Sequence, residues 1–207
     1  MKKIIVLVLS LIFSLSIFAQ VIEMKPVSVS LNGGGYFGMQ PMGDYDGNEL
    51  YNLGVVELDA KYMFNELFGV KLGSRYNAIK LGEDVNNTNY VNCFAHFVAD
   101  VGPLMGSENM GLCFNMGAGA AAMWQKERFS ENTTSRMFNK ADEMITMGFG
   151  LDYYIKISEN WAYNLAYNYT IHTQQSRTYD MRELMDDSSF EGRYMSFTLG
   201  VSYHFDF

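Results

Sequence analysis

Beyond its first 20 or so residues, the chain alternates between apolar and polar positions in steps of two, and this alternation divides it into eight stretches. The first, Val27 to Phe37, sets Val27, Val29 and Leu31 against Ser28, Ser30 and Asn32. The second, Leu53 to Phe64, sets Val56, Leu58, Ala60, Tyr62 and Phe64 against Glu57, Asp59 and Lys61. The third, Phe68 to Leu81, opposes Val70, Leu72 and Tyr76 to Lys71, Arg75 and Asn77. The fourth, Tyr90 to Val101, opposes Val91, Ala95 and Phe97 to Asn92, His96 and Asp100. In the fifth, Met110 to about Gln125, Leu112, Phe114, Met116 and Ala118 face away from Gly111, Gly117 and Gly119. The sixth, Glu143 to Ile157, runs from Ile145 to Ile157 on one side, with Thr146, Gly148, Gly150, Asp152 and Lys156 on the other. The seventh, Trp161 to Thr173, and the eighth, Gly192 to Phe207, repeat the pattern, Leu199 and Val201 lying opposite Thr198, Gly200 and Ser202.

A period of two is the signature of strands whose faces meet different surroundings. A soluble half-buried sheet and a membrane barrel both satisfy it, and strand length separates them. Soluble strands cluster near ~5–6 residues, whereas a tilted spanning strand needs roughly 9–11, which every one of these stretches supplies. The connections also alternate in length. Asn65–Leu67 and Ser158–Asn160 are short and Gly102 to Asn109 is moderate, while Gly38 to Asn52, Gly82 to Asn89, Lys126 to Asp142 and Gln174 to Glu191 are mostly longer and polar. Short turns at one end and long loops at the other are the asymmetry of a transmembrane barrel. The expected fold is therefore all-β: an eight-stranded, antiparallel, up-and-down transmembrane barrel, an even strand count bringing both termini to the short-turn, periplasmic side.

Met1-Lys2-Lys3, the apolar stretch Ile4 to Phe18 and the small Ala19 read as a secretory signal spanning residues 1–20, since a charged start, an apolar core and a small residue before the cut define such signals. The barrel domain is then 21–207. Removing Lys2 and Lys3 with the signal moves the net charge from −8 to −10. Acidity of that order excludes a nucleic-acid partner, which requires clustered cations. Phe and Tyr are abundant, 15 and 14, beside only 3 Pro, a composition that favours strands.

The last stretch ends on Phe207 with Tyr203 and Phe205 at alternate positions before it. This ending resembles the insertion signal of outer-membrane barrels, and the resemblance implies the barrel-assembly machinery as a partner during insertion. The whole region 21–207 is similar to the small eight-stranded outer-membrane barrel family of the OmpA-barrel and OmpX type, and to the porin-family barrels common in Bacteroidota. That family implies an envelope location in a Gram-negative cell and a monomer surrounded by outer-membrane lipid and lipopolysaccharide. With the chain ending at Phe207, the peptidoglycan-binding domain that follows many such barrels is not expected.

Eight strands enclose an interior that side chains fill. The residues expected inside include Glu57, Asp59, Lys61, Lys71, Arg75, His96, Asp100, Asp152 and Lys156, with Glu57 paired to Arg75 and Asp59 to Lys71 across the first short turn. A plug of paired charges is favoured over an ion path for so narrow a barrel. With the hairpin between the fourth and fifth stretches centred near Met105, Cys93 should lie level with Ala118, facing outward, and Cys113 level with Val98, facing inward. Two free thiols follow, because a disulfide needs Cα atoms within about 7 Å.

Four groups of residues invite chemistry. Gly33-Gly34-Gly35 lacks the Lys-Ser or Lys-Thr of a phosphate loop and reads as a kink that curves the sheet. Asp44, Asp46 and Glu49 have calcium-like oxygen spacing without a complete twelve-residue loop, and Asp180, Glu183, Asp186 and Asp187 form a second acidic loop that could meet lipopolysaccharide through shared divalent cations. His172 and Ser176 are the residue types of a lipid acyltransferase or deacylase, but no carboxylate lies between them to orient a base. No cofactor is expected. The leading expectation is a structural or binding scaffold with exposed loops and no wide channel. A lipid-modifying enzyme and a narrow pore are the alternatives.

Overall fold

The computed structural model describes residues 25–40, 51–79, 88–106, 109–125, 142–177 and 190–205. Eight strands follow in chain order: β1 (Val27–Gln40), β2 (Tyr51–Met63), β3 (Phe68–Ile79), β4 (Thr88–Asp100), β5 (Met110–Gln125), β6 (Asp142–Lys156), β7 (Trp161–Gln175) and β8 (Phe190–Phe205). Each pairs antiparallel with the next, and β1 also pairs with β8, so the sheet closes on itself. Closure removes both free edges, leaving no unpaired row of backbone groups to be desolvated.

All eight expected strands are present, and their limits differ from the alternation by at most three residues. At the long-loop end the ladder outlasts the pattern: Gly38 still pairs with Tyr194 and Gln40 with Arg193. Backbone hydrogen bonds do not require a difference between the two faces, so they continue where both faces turn polar. At the short turns the chain reverses tightly. Phe64 N–H donates to Phe68 O at 2.8 Å, and Asn65 Oδ1 accepts from the N–H groups of Leu67 (2.9 Å) and Phe68 (2.8 Å). Ile157 N–H donates to Trp161 O at 2.8 Å in the corresponding turn between β6 and β7.

Two register details correct the sequence expectations. Between β4 and β5, Pro103–Met105 form one turn of 3-10 helix, ended by Gly106 at φ 67°. The turn centre thus lies beyond Met105, and Cys93 pairs with Ala120 and Cys113 with Asp100, two residues from the expected partners. The facing is as expected, Cys93 exposed and Cys113 buried, and both thiols are free. The irregularity near the glycine triplet is carried by the neighbouring strand. Gly34 pairs with Val55 and Gly35 with Leu53, so Gly54 (φ 148°) is the extra residue of a bulge in β2. It shifts the phase so that Leu53 points outward at 69% exposure while Val55 is buried at 1%. Gly34 itself allows close approach: a Cβ there would run into the backbone of Phe197 and Thr198.

The barrel is apolar outside and polar inside. Leu31, Leu58, Leu72, Met116, Met147, Phe149, Leu165 and Leu199 are among the large apolar side chains exposed on its outer wall. Buried instead are Ser28, Ser30, Asn32, Glu57, Asp59, Lys71, Arg75, Asn92, His96, Asn115, Thr146, Asn168, Ser196 and Thr198. This inverts the partition of a water-soluble barrel and is the arrangement that hydrocarbon surroundings select. Aromatic side chains gather on the outer wall near the short turns. Tyr62 packs edge-on against Phe64 (5.5 Å between centroids), Trp161 against Tyr203 (4.9 Å) and Tyr203 against Phe205 (5.2 Å), as in the aromatic girdles that mark a membrane interface.

Candidate functional site in the barrel lumen

The loop-side end of the lumen is occupied by aromatic rings. Tyr36 of β1 and Tyr90 of β4 both stack on Tyr194 of β8, at 5.6 and 5.2 Å between centroids. Tyr90 Oη lies 2.7 Å from His172 Nε2, and Asn77 Nδ2 donates to Tyr194 Oη at 3.2 Å. All three tyrosines and His172 are at most 1% exposed. These tyrosines were not singled out by the sequence reading, although a signal existed: each stands on the polar alternate set, in step with Asn32, Asn92 and Ser196. An aromatic residue on the inward set of a narrow barrel is a plug.

Beneath the rings lies a layer of charge. Arg75 Nε donates to Glu57 Oε2 at 2.8 Å, and Nη2 lies 2.6 Å from the same oxygen. Cross-strand register places the two side by side on β2 and β3, as expected. The ring of Phe94 lies 5.5 Å from the guanidinium and 5.8 Å from the Lys71 ammonium. Lys71 corrects the second expected pair. It donates to Asp152 Oδ2 of β6 at 2.7 Å, across the lumen, because Asp59 stands opposite Gly73 and is only a diagonal neighbour of Lys71. His96 is buried with Nδ1 2.9 Å from Asn115 Oδ1. The row Gly117, Gly148 and Gly150 makes room for this layer, since a Cβ at these positions would press on His96, Asn115 or Asn168.

At the short-turn end the lumen divides. One half is apolar, a cluster of Met63, Val98, Cys113 and Tyr154, with Tyr154 Oη donating to Asp100 Oδ2 at 2.8 Å. Lys61 lies against this half, 3.8 Å from Cys113 Sγ and 5.4 Å from the centre of the Tyr154 ring. The other half is small and polar and holds a cavity of about 30 Å³ bordered by Ser28, Asn32, Asp59, Asp152, Ser202 and His204, with the Lys61 and Lys71 side chains also on its wall. That volume holds about two water-sized occupants. His204 Nε2 lies 3.0 Å from Ser202 Oγ at this end, and Lys156 occupies the end of β6 at intermediate exposure.

The residues considered for catalysis do not form a dyad. His172 is turned into the lumen against Tyr90, whereas Ser176 is exposed at the rim and its Oγ donates to Asp142 Oδ1 at 2.7 Å. An irregularity between His172 and Gln175, with Gln174 at φ 63°, sends the two in different directions. Asp142 also accepts from the N–H of Ser176 (3.2 Å) and of Arg177 (3.0 Å), so its role is to hold this bend. Among the described residues, no group of three or more His, Cys, Asp and Glu side chains is placed to hold a metal ion. Asp44, Asp46, Glu49, Asp180, Glu183, Asp186, Asp187 and Phe207 lie outside the described residues, as does the stretch 1–20.

No protein-family model matches the chain, and no curated protein matches its sequence significantly. Solved structures do match. Neisserial surface protein A aligns at a TM-score of 0.61 with 10% identity, over 86% of this chain and 97% of its own. Ail, the attachment invasion locus protein of Yersinia pestis, aligns at 0.54 with 14% identity, over 88% and 100%. The outer membrane protein AlkL, solved in lipid bilayers, aligns at 0.53 with 15% identity, over 91% and 94%. These neighbours are small eight-stranded outer-membrane barrels. At such identities the likeness is one of fold.

Proposed function

We propose that this chain, sharing the fold of the small eight-stranded outer-membrane barrels, is a non-conducting scaffold in an outer membrane that presents its long loops for binding. Its termini and short turns face the periplasm, and its loops face outward. The observation that carries this reading is the filled lumen: three packed tyrosines above the buried Arg75–Glu57 pair at the loop side. A solute path would have to displace buried rings and break a desolvated ion pair. The wall outside is mostly apolar, so recognition falls to the loop end, where the outward charged residues Glu143 and Arg193 appear. The attachment named for Ail, and a structure of Ail with the heparin analogue sucrose octasulfate, support binding as the kind of task this fold carries. Lipopolysaccharide and outer-leaflet lipid are the surroundings against which the loop-end rim works.

The test has two arms. Purified barrel in planar bilayers should give no stable current. Cells expressing the barrel should lose adhesion to sulfated polysaccharide or host-cell surfaces when the connections 41–50, 126–141 and 178–189 are shortened together, with the barrel still inserted. A steady open-channel current from the intact protein, or adhesion indifferent to loop shortening, overturns the reading.

A further inference from the structure

We infer that the cavity at the short-turn end of the lumen is a hydration site, holding a pair of water molecules that hydrogen-bond strands on opposite sides of the barrel. The occupant has to be neutral. Three carboxylates stand at the cavity, Glu57, Asp59 and Asp152, and three cations answer them: Arg75 pairs with Glu57, Lys71 with Asp152, and the Lys61 side chain lies on the same wall. With the charges balanced, an added ion of either sign would be withdrawn from water unmatched, a cost that a neutral molecule does not incur. Among the described residues, no group of three or more His, Cys, Asp and Glu side chains is placed to hold a metal ion. The inference concerns the interior alone and is independent of what the loops bind.

The lining shows what kind of neutral molecule it is. Four buried oxygens on this wall have no hydrogen-bond partner: Ser28 Oγ, Asn32 Oδ1, Glu57 Oε1 and Asp152 Oδ1. Ser28, Asn32 and Glu57 are at most 4% exposed, so bulk solvent does not serve them. The amide and carboxylate oxygens can only accept, whereas the serine hydroxyl can donate or accept. The occupant must therefore donate more than once, within a space of about 30 Å³. Water meets both demands, since one molecule needs about 10–15 Å³ of such volume and makes about 3 hydrogen bonds to groups otherwise unsatisfied. An apolar occupant would leave all of these oxygens desolvated and unpaired. The space exists because the residues lining it from β1, β7 and β8 are short: Ser28, Ser30, Ala166 and Ser202. Ser28 and Asn32 stand on β1 and Asp152 on β6, strands that are not neighbours in the sheet. The water pair thus joins walls that backbone pairing does not.

The experiment is solution NMR on the isotope-labelled chain refolded in detergent micelles. Magnetisation transfer from long-lived water to the side-chain amide of Asn32 and the backbone amide of Ser28 is expected. Dissolved xenon should leave the Ala166 methyl resonance unshifted, since that gas enters dry apolar cavities. Ala166→Leu, which places carbon in the cavity, should lose the water contacts at Asn32 and lower the melting temperature, because Asn32 Oδ1 and Asp152 Oδ1 then stay unpaired. Should that variant fail to fold, Ala166→Val, which fills less of the space, makes the same comparison. An Ala166→Val protein that melts higher than the parent overturns the inference, because filling a dry cavity stabilises. So does a xenon shift at the Ala166 methyl, or the absence of water contacts at both Asn32 and Ser28 in the parent.

Discussion

Arg75 and Glu57 show how one buried pair can hold a narrow barrel. Both are essentially inaccessible, and Glu57 Oε1 has no partner, so removing the guanidinium would strand a carboxylate in the lumen. Arg75→Ala is expected to cost about 3–5 kcal/mol, the range for breaking a buried ion pair from one side, read as a shift in urea unfolding of the micelle-bound or vesicle-bound barrel. The double variant Arg75→Met, Glu57→Leu should recover most of that loss, because neither charge then remains to be desolvated. A single variant with unchanged stability would show that water already reaches this layer. At the same scale, Ser176→Ala should leave lipid composition untouched in cells expressing the barrel, since its hydroxyl serves Asp142 in the β7 bend.

At the scale of the strands, the two faces should respond oppositely to the same change. Met147 and Leu199 stand exposed on the outer wall, at 58% and 66%. Met147→Arg or Leu199→Arg is expected to destabilise the inserted barrel by roughly 2–4 kcal/mol, the cost of a charge on the lipid face near the bilayer midplane. In a soluble protein these exposed positions would accept arginine freely, so an unchanged unfolding midpoint in vesicles would count against the membrane reading. The β4–β5 register gives a geometric check. Cys93 stands opposite Ala120, within the Cα separation a cross-strand bridge allows. Mild oxidation of Ala120→Cys should therefore link residues 93 and 120, detected by intact mass and peptide mapping, whereas Ala118→Cys should stay reduced.

For the whole molecule, the apolar wall and polar lumen together dictate behaviour in solution. The protein should require detergent or lipid to remain dispersed, show a strand-type circular dichroism spectrum in them, and run faster in unheated than in boiled gel samples. A chain that stays monomeric in plain buffer would contradict the outward apolar belt. Closure by β1–β8 pairing makes folding all-or-none, because either terminal strand left unpaired would expose a row of backbone donors and acceptors to hydrocarbon.

Strand number, facing and the all-β barrel were legible in the chain itself, because a period of two needs only neighbouring residues to register that one side meets lipid and the other does not. The Glu57–Arg75 pair was legible too, since a three-residue turn leaves little freedom in the register of β2 against β3. What tertiary structure alone decided were the contacts across the lumen: Lys71 with Asp152, and Tyr194 between Tyr36 and Tyr90. These bring together residues far apart in sequence, at heights set by the bulge at Gly54, the 3-10 turn after β4 and the stagger of the closed sheet. No local pattern encodes such heights; they arise when the eighth strand meets the first.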